Sequence, residues 1–528
     1  MPVERPPQGI GAVAVPAGPG ITLPEILAVE LPAPGMTSIA PGASPLRELL
    51  GAAADEPNAV THDRAAPLPL GGTRVTWTSW AGEPGRSAVR ATRSALVYVL
   101  PHGMTPAGLT REPYATGGNQ SPKVAQYADG AVHVAWLDRG HGRGAGNRAM
   151  YRRGTLDPRT GAPQWETPPV RVSDNFSEGG GSHVAIDASA NAVHFAWQGN
   201  GVVFYRRLVR RGGEWTFEPV RAVRFMGESP DQGPALAAQG DERIHLVSPG
   251  GRYALSVDGG AKWLVDPIPA PPGQRIKLPA MALDSAGNVH VAFTGIVRGP
   301  GNPSMRAASR GYWQLRYVRR DTAGKWSGAE DVLAGEPGWA DPGDGSDILA
   351  DWANIAVDES GAVYVGWHGT AATRIYGNDE AHVIRKPPGG GWQKAQKLAP
   401  IDRAGGRYFS YAPSVMTVAP GLAVAVTFYE VTAEYAEVFD PAWRVLRDGI
   451  ADGPLMALPR LAGPAIAAGR RDEAIGQWFP VVSRRPLRAA DGRAWLGALA
   501  TAATPNAHDS AYLVVFLRAD VSDLARRR

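Results

Sequence analysis

One pattern returns five times and limits what this chain can fold into. Each copy has a turn containing Asp or Gly, then a strand of the type Val-His-Val-Ala-Trp, a strand ending in basic residues, and a lone Trp. The first of these strands is Val132-His133-Val134-Ala135-Trp136, and its copies begin at Val193, Ile244, Val289 and Val363. The lone tryptophans are Trp165, Trp215, Trp263, Trp326 and Trp392. A period of roughly 45–75 residues with several strands per unit is the signature of a β-propeller. The expected fold is therefore all-β, a six- or seven-bladed β-propeller preceded by a Pro/Ala/Gly-rich N-terminal arm.

The pattern divides the chain. Residues 1–72 are expected to form an extended arm, with one short helix capped by Ser44 and running from Pro45 to Ala54. The arm has no core pattern of its own and is expected to lie on the propeller or on a protein partner. Residues 73–440 carry the blades. Residues 441–505 read as a loop and helical insertion or an irregular last blade, with Pro441 to Arg447 as the best helical stretch. Residues 506–528 supply a ring-closing strand and a basic tail. The last strands are expected to pair with early strands near 74–100, because an open ring leaves an unpaired sheet edge.

Composition narrows the partners. The chain has 528 residues, a formal net charge of +4 and no cysteine. Its arginines are spread through the repeat rather than gathered on one stretch, so no nucleic-acid footprint is visible. Thiolate metal sites and disulfides are excluded. No apolar run reaches the roughly 20 residues of a membrane span. The start, Met1-Pro2-Val3-Glu4-Arg5, lacks a basic segment followed by an apolar one. The expectation is a protein without a general secretory signal, working in the cytoplasm or leaving by lysis or packaging in a particle.

Most of the repeated residues read as structural. His133, His194, His245, His290 and Tyr364 take one place in successive units. Residues set once per blade at one radius cannot converge as a metal site does, so packed or hydrogen-bonded side chains are expected. The lone tryptophans read as anchors between blades.

One copy is more specific. Ser256-Val257-Asp258-Gly259-Gly260-Ala261-Lys262-Trp263 has the form Ser-x-Asp-x-Gly-x-x-Trp. Its Ser and Asp oxygens suit bonds to backbone amides across a tight turn, and its glycines permit positive φ. This segment resembles the Asp-box, or BNR repeat, of the sialidase-like propeller superfamily, and the resemblance covers about 300 residues. In that family the box is a folding element away from the active site, so it implies the fold and points only toward glycan-type ligands. The family's catalytic set contains three arginines on a carboxylate, a Tyr with a Glu partner, and an Asp acid/base. No Arg-Ile-Pro-like motif precedes the first repeat. Tyr408 and Tyr411 stand late in the chain, where the family keeps its Tyr, with Glu430 as a candidate partner.

A ligand is expected at the mouth of the central channel, where innermost strands begin and second strands end. The residues at those places differ from unit to unit, as a shared pocket requires. His183, Asp231, Asp351, Tyr411 and Glu430 are the catalytic candidates. Asp138, Arg139, Gln198, Lys277, Trp352, His368 and Tyr408 are the substrate-binding candidates, and Asn119 with Gln120 reach the same rim. Hydrolysis of a glycosidic bond would draw on the carboxyl groups. β-Elimination from a uronate in a polysaccharide would draw on the His, Tyr, Lys and Arg side chains. The alternative is a non-catalytic carbohydrate-binding propeller, or a structural or receptor-binding one in a particle or surface assembly. No metal or cofactor is required. A calcium loop at Asp341, Asp344 and Asp347 is the one cation candidate, and it lacks the downstream Glu of an EF-hand.

Overall fold

The computed structural model describes residues 25–31, 33–36, 38–39, 68–81, 88–127, 130–139, 146–178, 183–225, 233–297, 312–336, 349–370, 379–432, 438–462, 475–503 and 512–526. They form a seven-bladed β-propeller. Each blade is an antiparallel meander whose first strand lines the hub. Blade 1 runs through Val124–Gln126, Ala131–Arg139, Asn147–Leu156 and Pro163–Trp165. Blade 2 uses Val184–Ala188, Ala192–Gly199, Val202–Arg211 and Glu214–Phe217. Blade 3 uses Ala235–Gln239, Arg243–Val247, Arg252–Ser256 and Leu264–Pro267. Blade 4 uses Arg275–Leu283, Val289–Val297, Tyr312–Arg320 and Glu330–Asp331. Blade 5 uses Leu349–Val357, Val363–Thr370, Glu380–Lys386 and Gln396–Lys397.

Blade 6 departs from the sequence reading. Its strands are Ser410–Ala419, Leu422–Glu430, Phe439–Arg447 and Ile450–Ala457. The expected helix at Pro441 to Arg447 is therefore a strand, paired with Leu422–Glu430 along its length. Two neighbouring strands offer this segment a full ladder, and that outweighs local helical preference.

Ring closure departs as well. Blade 7 takes Gly476–Val482, Ala494–Ala503 and Tyr512–Asp520 from the end of the chain. Its outermost strand is Met104–Thr110, paired with Tyr512–Asp520. The early strands Gly71–Ala81 and Ala88–Leu100 do not close the ring; they pair with each other, and Glu25–Glu30 adds in parallel to make a separate three-stranded sheet. The ring thus closes between the two ends of the propeller, which share the strands of blade 7. The expected Ser44 to Ala54 helix lies outside the described residues.

The repeated side chains bind blade to blade. His133, His194, His245 and His290 each bond through Nδ1 to a tyrosine hydroxyl on the next strand: Tyr151, Tyr205, Tyr253 and Tyr317, at 2.7–2.8 Å. The Tyr rings then meet the lone tryptophans of the following blade. Trp263 packs edge-on against Tyr205, Trp326 against Tyr253 and Trp392 against Tyr317, with centroids 5.3–5.5 Å apart. Such a pair contributes about 0.5–1.5 kcal/mol beyond the area it buries. The Asp-box closes as its chemistry requires: Gly260 N donates to Ser256 Oγ at 2.7 Å and Lys262 N to Asp258 Oδ1 at 2.9 Å. Gly260 sits at φ 88°, and an added Cβ there would lie 2.2 Å from the Tyr205 ring.

Candidate functional site

The channel mouth is built on a repeated backbone distortion. In blades 4 to 7 the register of the innermost strand breaks between Lys277 and Ala280, Asp351 and Asn354, Tyr411 and Ser414, and Trp478 and Val481. Inside each break one non-glycine residue has positive φ: Leu278, Trp352, Ala412 and Phe479. His183, just before the first strand of blade 2, is another. A bulge bends the strand and re-aims side chains that alternation would send between blades. Positive φ at residues other than glycine is strained and clusters at functional places.

The hub beneath is filled by the chain itself. The connection from the outermost strand of blade 7 to the innermost of blade 1 dives through the ring, and Ala115 to Ala125 are all buried. Asn119 Nδ2 donates to Trp352 O at 3.0 Å and to Pro413 O at 2.7 Å. Ser121 Oγ accepts from Leu236 N at 2.9 Å, and Lys123 Nζ donates to Val184 O. Thr116 bonds Thr501. Asn119 and Gln120, expected on the rim, instead belong to this plug. The open part of the mouth lies above it and toward blades 5 to 7.

There an aromatic cavity of about 180 Å³ opens, lined by Tyr114, Trp352, His368, Tyr411, Phe428, Phe439, Trp478 and Phe479. Trp352 stacks on Phe479 at 5.1 Å and meets His183 at 6.0 Å and His368 at 6.2 Å. Tyr411 sits 5.5 Å from His368 and 5.7 Å from Phe428. Trp478 closes the far wall against Phe439 and Tyr114, at 5.8 and 5.0 Å. Phe428 and Trp478 are buried, while Trp352, His368, Tyr411, Phe439 and Phe479 are half-buried and Tyr114 is exposed at the lip.

The structure thus gathers four of the sequence-derived candidates, His183, Trp352, His368 and Tyr411, around one place. Tyr114, Phe428, Phe439, Trp478 and Phe479 were not among the candidates. Trp478-Phe479-Pro480 stands at the start of an innermost strand, as Tyr411-Ala412-Pro413 does, so it carried a readable signal. Tyr114 carried none, because it sits in a connection.

Several of the polar candidates are engaged. Lys277 Nζ pairs with Asp351 Oδ2 at 2.9 Å and lies 3.7 Å over the Trp313 ring. Asp138 Oδ1 accepts from Arg111 N at 2.9 Å. Gln198 is buried, and Glu430, fully buried, faces Phe439 across the ladder. Tyr408 N donates to Glu430 O at 3.1 Å. Arg139 is exposed at the end of its strand. Asp231 and the acidic loop with Asp341, Asp344 and Asp347 lie outside the described residues.

The histidines are held neutral. Burial, reinforced by the Lys123 charge, pushes His183 down to about 3. Burial also lowers His368, against the opposing pull of Asp379 and Asp351. Ala412 N donates to His368 Nδ1 at 3.2 Å. A neutral ring that accepts at Nδ1 carries its proton on Nε2, so His368 is a donor rather than a base. Among the described residues no group of three His, Asp or Glu side chains is placed to hold a metal ion, and no helix is long and apolar enough to cross a membrane.

No family model and no curated protein matches the chain. Solved structures show distant likeness. A polysaccharide lyase of family PL25, an ulvan lyase, is 14% identical, with a TM-score of 0.48 over 79% of this chain and 97% of that one. The NanB sialidase of Streptococcus pneumoniae is 11% identical, with a TM-score of 0.37 over 78% and 70%. YCF48 bound to D1 peptide is 10% identical, with a TM-score of 0.38 over 78% and 97%. Likenesses this distant carry over neither substrate nor catalytic residue.

Proposed function

We propose that this propeller is a glycan-recognition protein that seats one sugar ring in the aromatic cavity at the channel mouth. The observation that supports the reading is the cavity itself, with Trp352, Tyr411 and Trp478 as walls and His368 as a donor beside them. Flat aromatic faces with a few fixed polar groups suit the apolar C–H face and polar edge of a pyranose. Recognition is favoured over hydrolysis, which needs two carboxyl groups with pKa values pushed apart. Asp351 is bound to Lys277, Asp138 is taken by the Arg111 amide, and Glu430 is fully buried.

A glycan array followed by calorimetry tests this, with every bound glycan also incubated for turnover and scored for new reducing ends and unsaturated uronates. The expected result is binding without product, weakened at least tenfold in Trp352→Ala. Product formation would move the protein to the hydrolases or lyases. Binding that Trp352→Ala leaves untouched would remove the ligand from this cavity.

A further inference from the structure

The face opposite the mouth holds a second and larger cavity. Its volume is about 680 Å³, and Tyr127, Thr155, Glu359, Arg485 and Arg488 are among its lining residues. Tyr127, Glu359 and both arginines lie on the connections that follow innermost strands, in blades 1, 5 and 7, which places the cavity at the other end of the channel.

Two guanidinium groups are displayed there from a rigid backbone. Arg488 N donates to Gln126 Oε1 at 2.5 Å, and Gln126 Nε2 donates back to Arg488 O at 2.9 Å. Ser483 Oγ fixes Arg485 O at 2.6 Å. The neighbouring Leu487 and Ala489 are buried, so the segment is anchored between its two cations. The side chains themselves are exposed. Arg485 reaches Glu359 at 3.1 Å, with both groups about half exposed. The guanidinium of Arg488 bonds the Gly492 carbonyl at 3.3 Å, and no carboxylate among the described residues pairs with it. The described lining therefore carries two cations and one anion. Tyr127, 43% exposed, and the exposed Thr155 add hydroxyl groups.

We propose that this cavity is an anion site for a tetrahedral oxyanion, a sulfate or phosphate ester, held by Arg488 and Arg485. Guanidinium forks match oxyanion geometry, and cations whose backbone is already fixed lose little freedom on binding. The glycan cavity at the mouth is not needed for this site.

Calorimetry with inorganic sulfate, inorganic phosphate, and one hexose as its sulfate and phosphate esters tests it and separates the sources. Saturable binding of the two inorganic ions is expected, weakened about tenfold by Arg488→Gln, lost in the Arg485→Gln/Arg488→Gln pair, and unchanged by Trp352→Ala; with the hexose esters the pair should remove the component that Trp352→Ala leaves. Both arginines are exposed, so the variants should melt where the wild type does. If the pair fails to fold, Arg488→Lys decides: weaker but saturable binding is expected. Absence of saturable heat with all four probes, or equal binding by the folded variants, overturns the proposal.

Discussion

Asn354 donates through Nδ2 to the Asn119 carbonyl, while the Asn119 side chain donates to the carbonyl of Trp352, two residues before Asn354. The plug and the mouth are thereby one hydrogen-bonded unit. Asn354 Oδ1 also accepts from Val415 N at 2.8 Å, which ties blade 5 to blade 6.

Asn354→Ala removes both bonds and leaves a buried carbonyl and a buried amide without their partner. Each such loss costs about 1–3 kcal/mol. Urea unfolding should show a destabilisation of that order. Glycan affinity should fall in the same variant while it remains folded, because Asn119, whose side chain supports the Trp352 carbonyl, loses its own anchor.

The ring seam has its own lock. Glu30 accepts from Gly103 N at 2.9 Å, Thr105 Oγ1 at 2.5 Å, and Arg518 Nη2 at 2.5 Å. Arg518 is 4% exposed and Glu30 is 7% exposed. Glu30→Ala strands the Arg518 charge and should cost about 3–5 kcal/mol in denaturant unfolding. Glu30→Ala combined with Arg518→Met should recover part of that loss, since an uncompensated charge is no longer buried.

Acid should destabilise the ring before the carboxylates titrate. Burial pushes His133, His194 and His245 down to about 3 from an ordinary 6.5. Below 6.5 the unfolded chain takes up protons that the folded chain refuses. The stability these groups contribute is present above 6.5 and is lost as pH falls toward 3. His194→Gln should reduce the slope of unfolding free energy against pH in that window by up to about 1.4 kcal/mol per pH unit.

Lys123 acts at the other end of the scale. Burial lowers its ammonium to about 7 from 10.5. Between these values the unfolded lysine is charged and the folded one is neutral, so stability should rise with pH through the window. Lys123→Met should flatten that rise and raise the unfolding midpoint at pH 7. An unchanged slope in the variant would mean that another group governs it.

Much of the fold was legible because a propeller repeats. The His133-type strands, the Asp-box and the lone tryptophans announce five blades, and the paired roles of His and Trp follow from their equal spacing. Blade 6 was half legible: its first two strands carry the alternation, but Phe439–Arg447 reads as helix until its sheet neighbours are present. The closing strand Met104–Thr110 was missed because pairing with Tyr512–Asp520, some 400 residues away, leaves no local mark. Within the site, Trp352, Tyr411 and His368 were visible as odd residues at equivalent places. Tyr114 was not, since only the path of its connection brings it to Trp478.

The order of residues carries the local terms: alternation, turn chemistry, and the periodic His, Tyr and Trp that any ring of such units must pack. Which ends meet, what fills the hub and which rings share a cavity follow only from the assembled ring. These are contacts between residues hundreds of positions apart, and nothing in short-range spacing encodes the closure that brings them together.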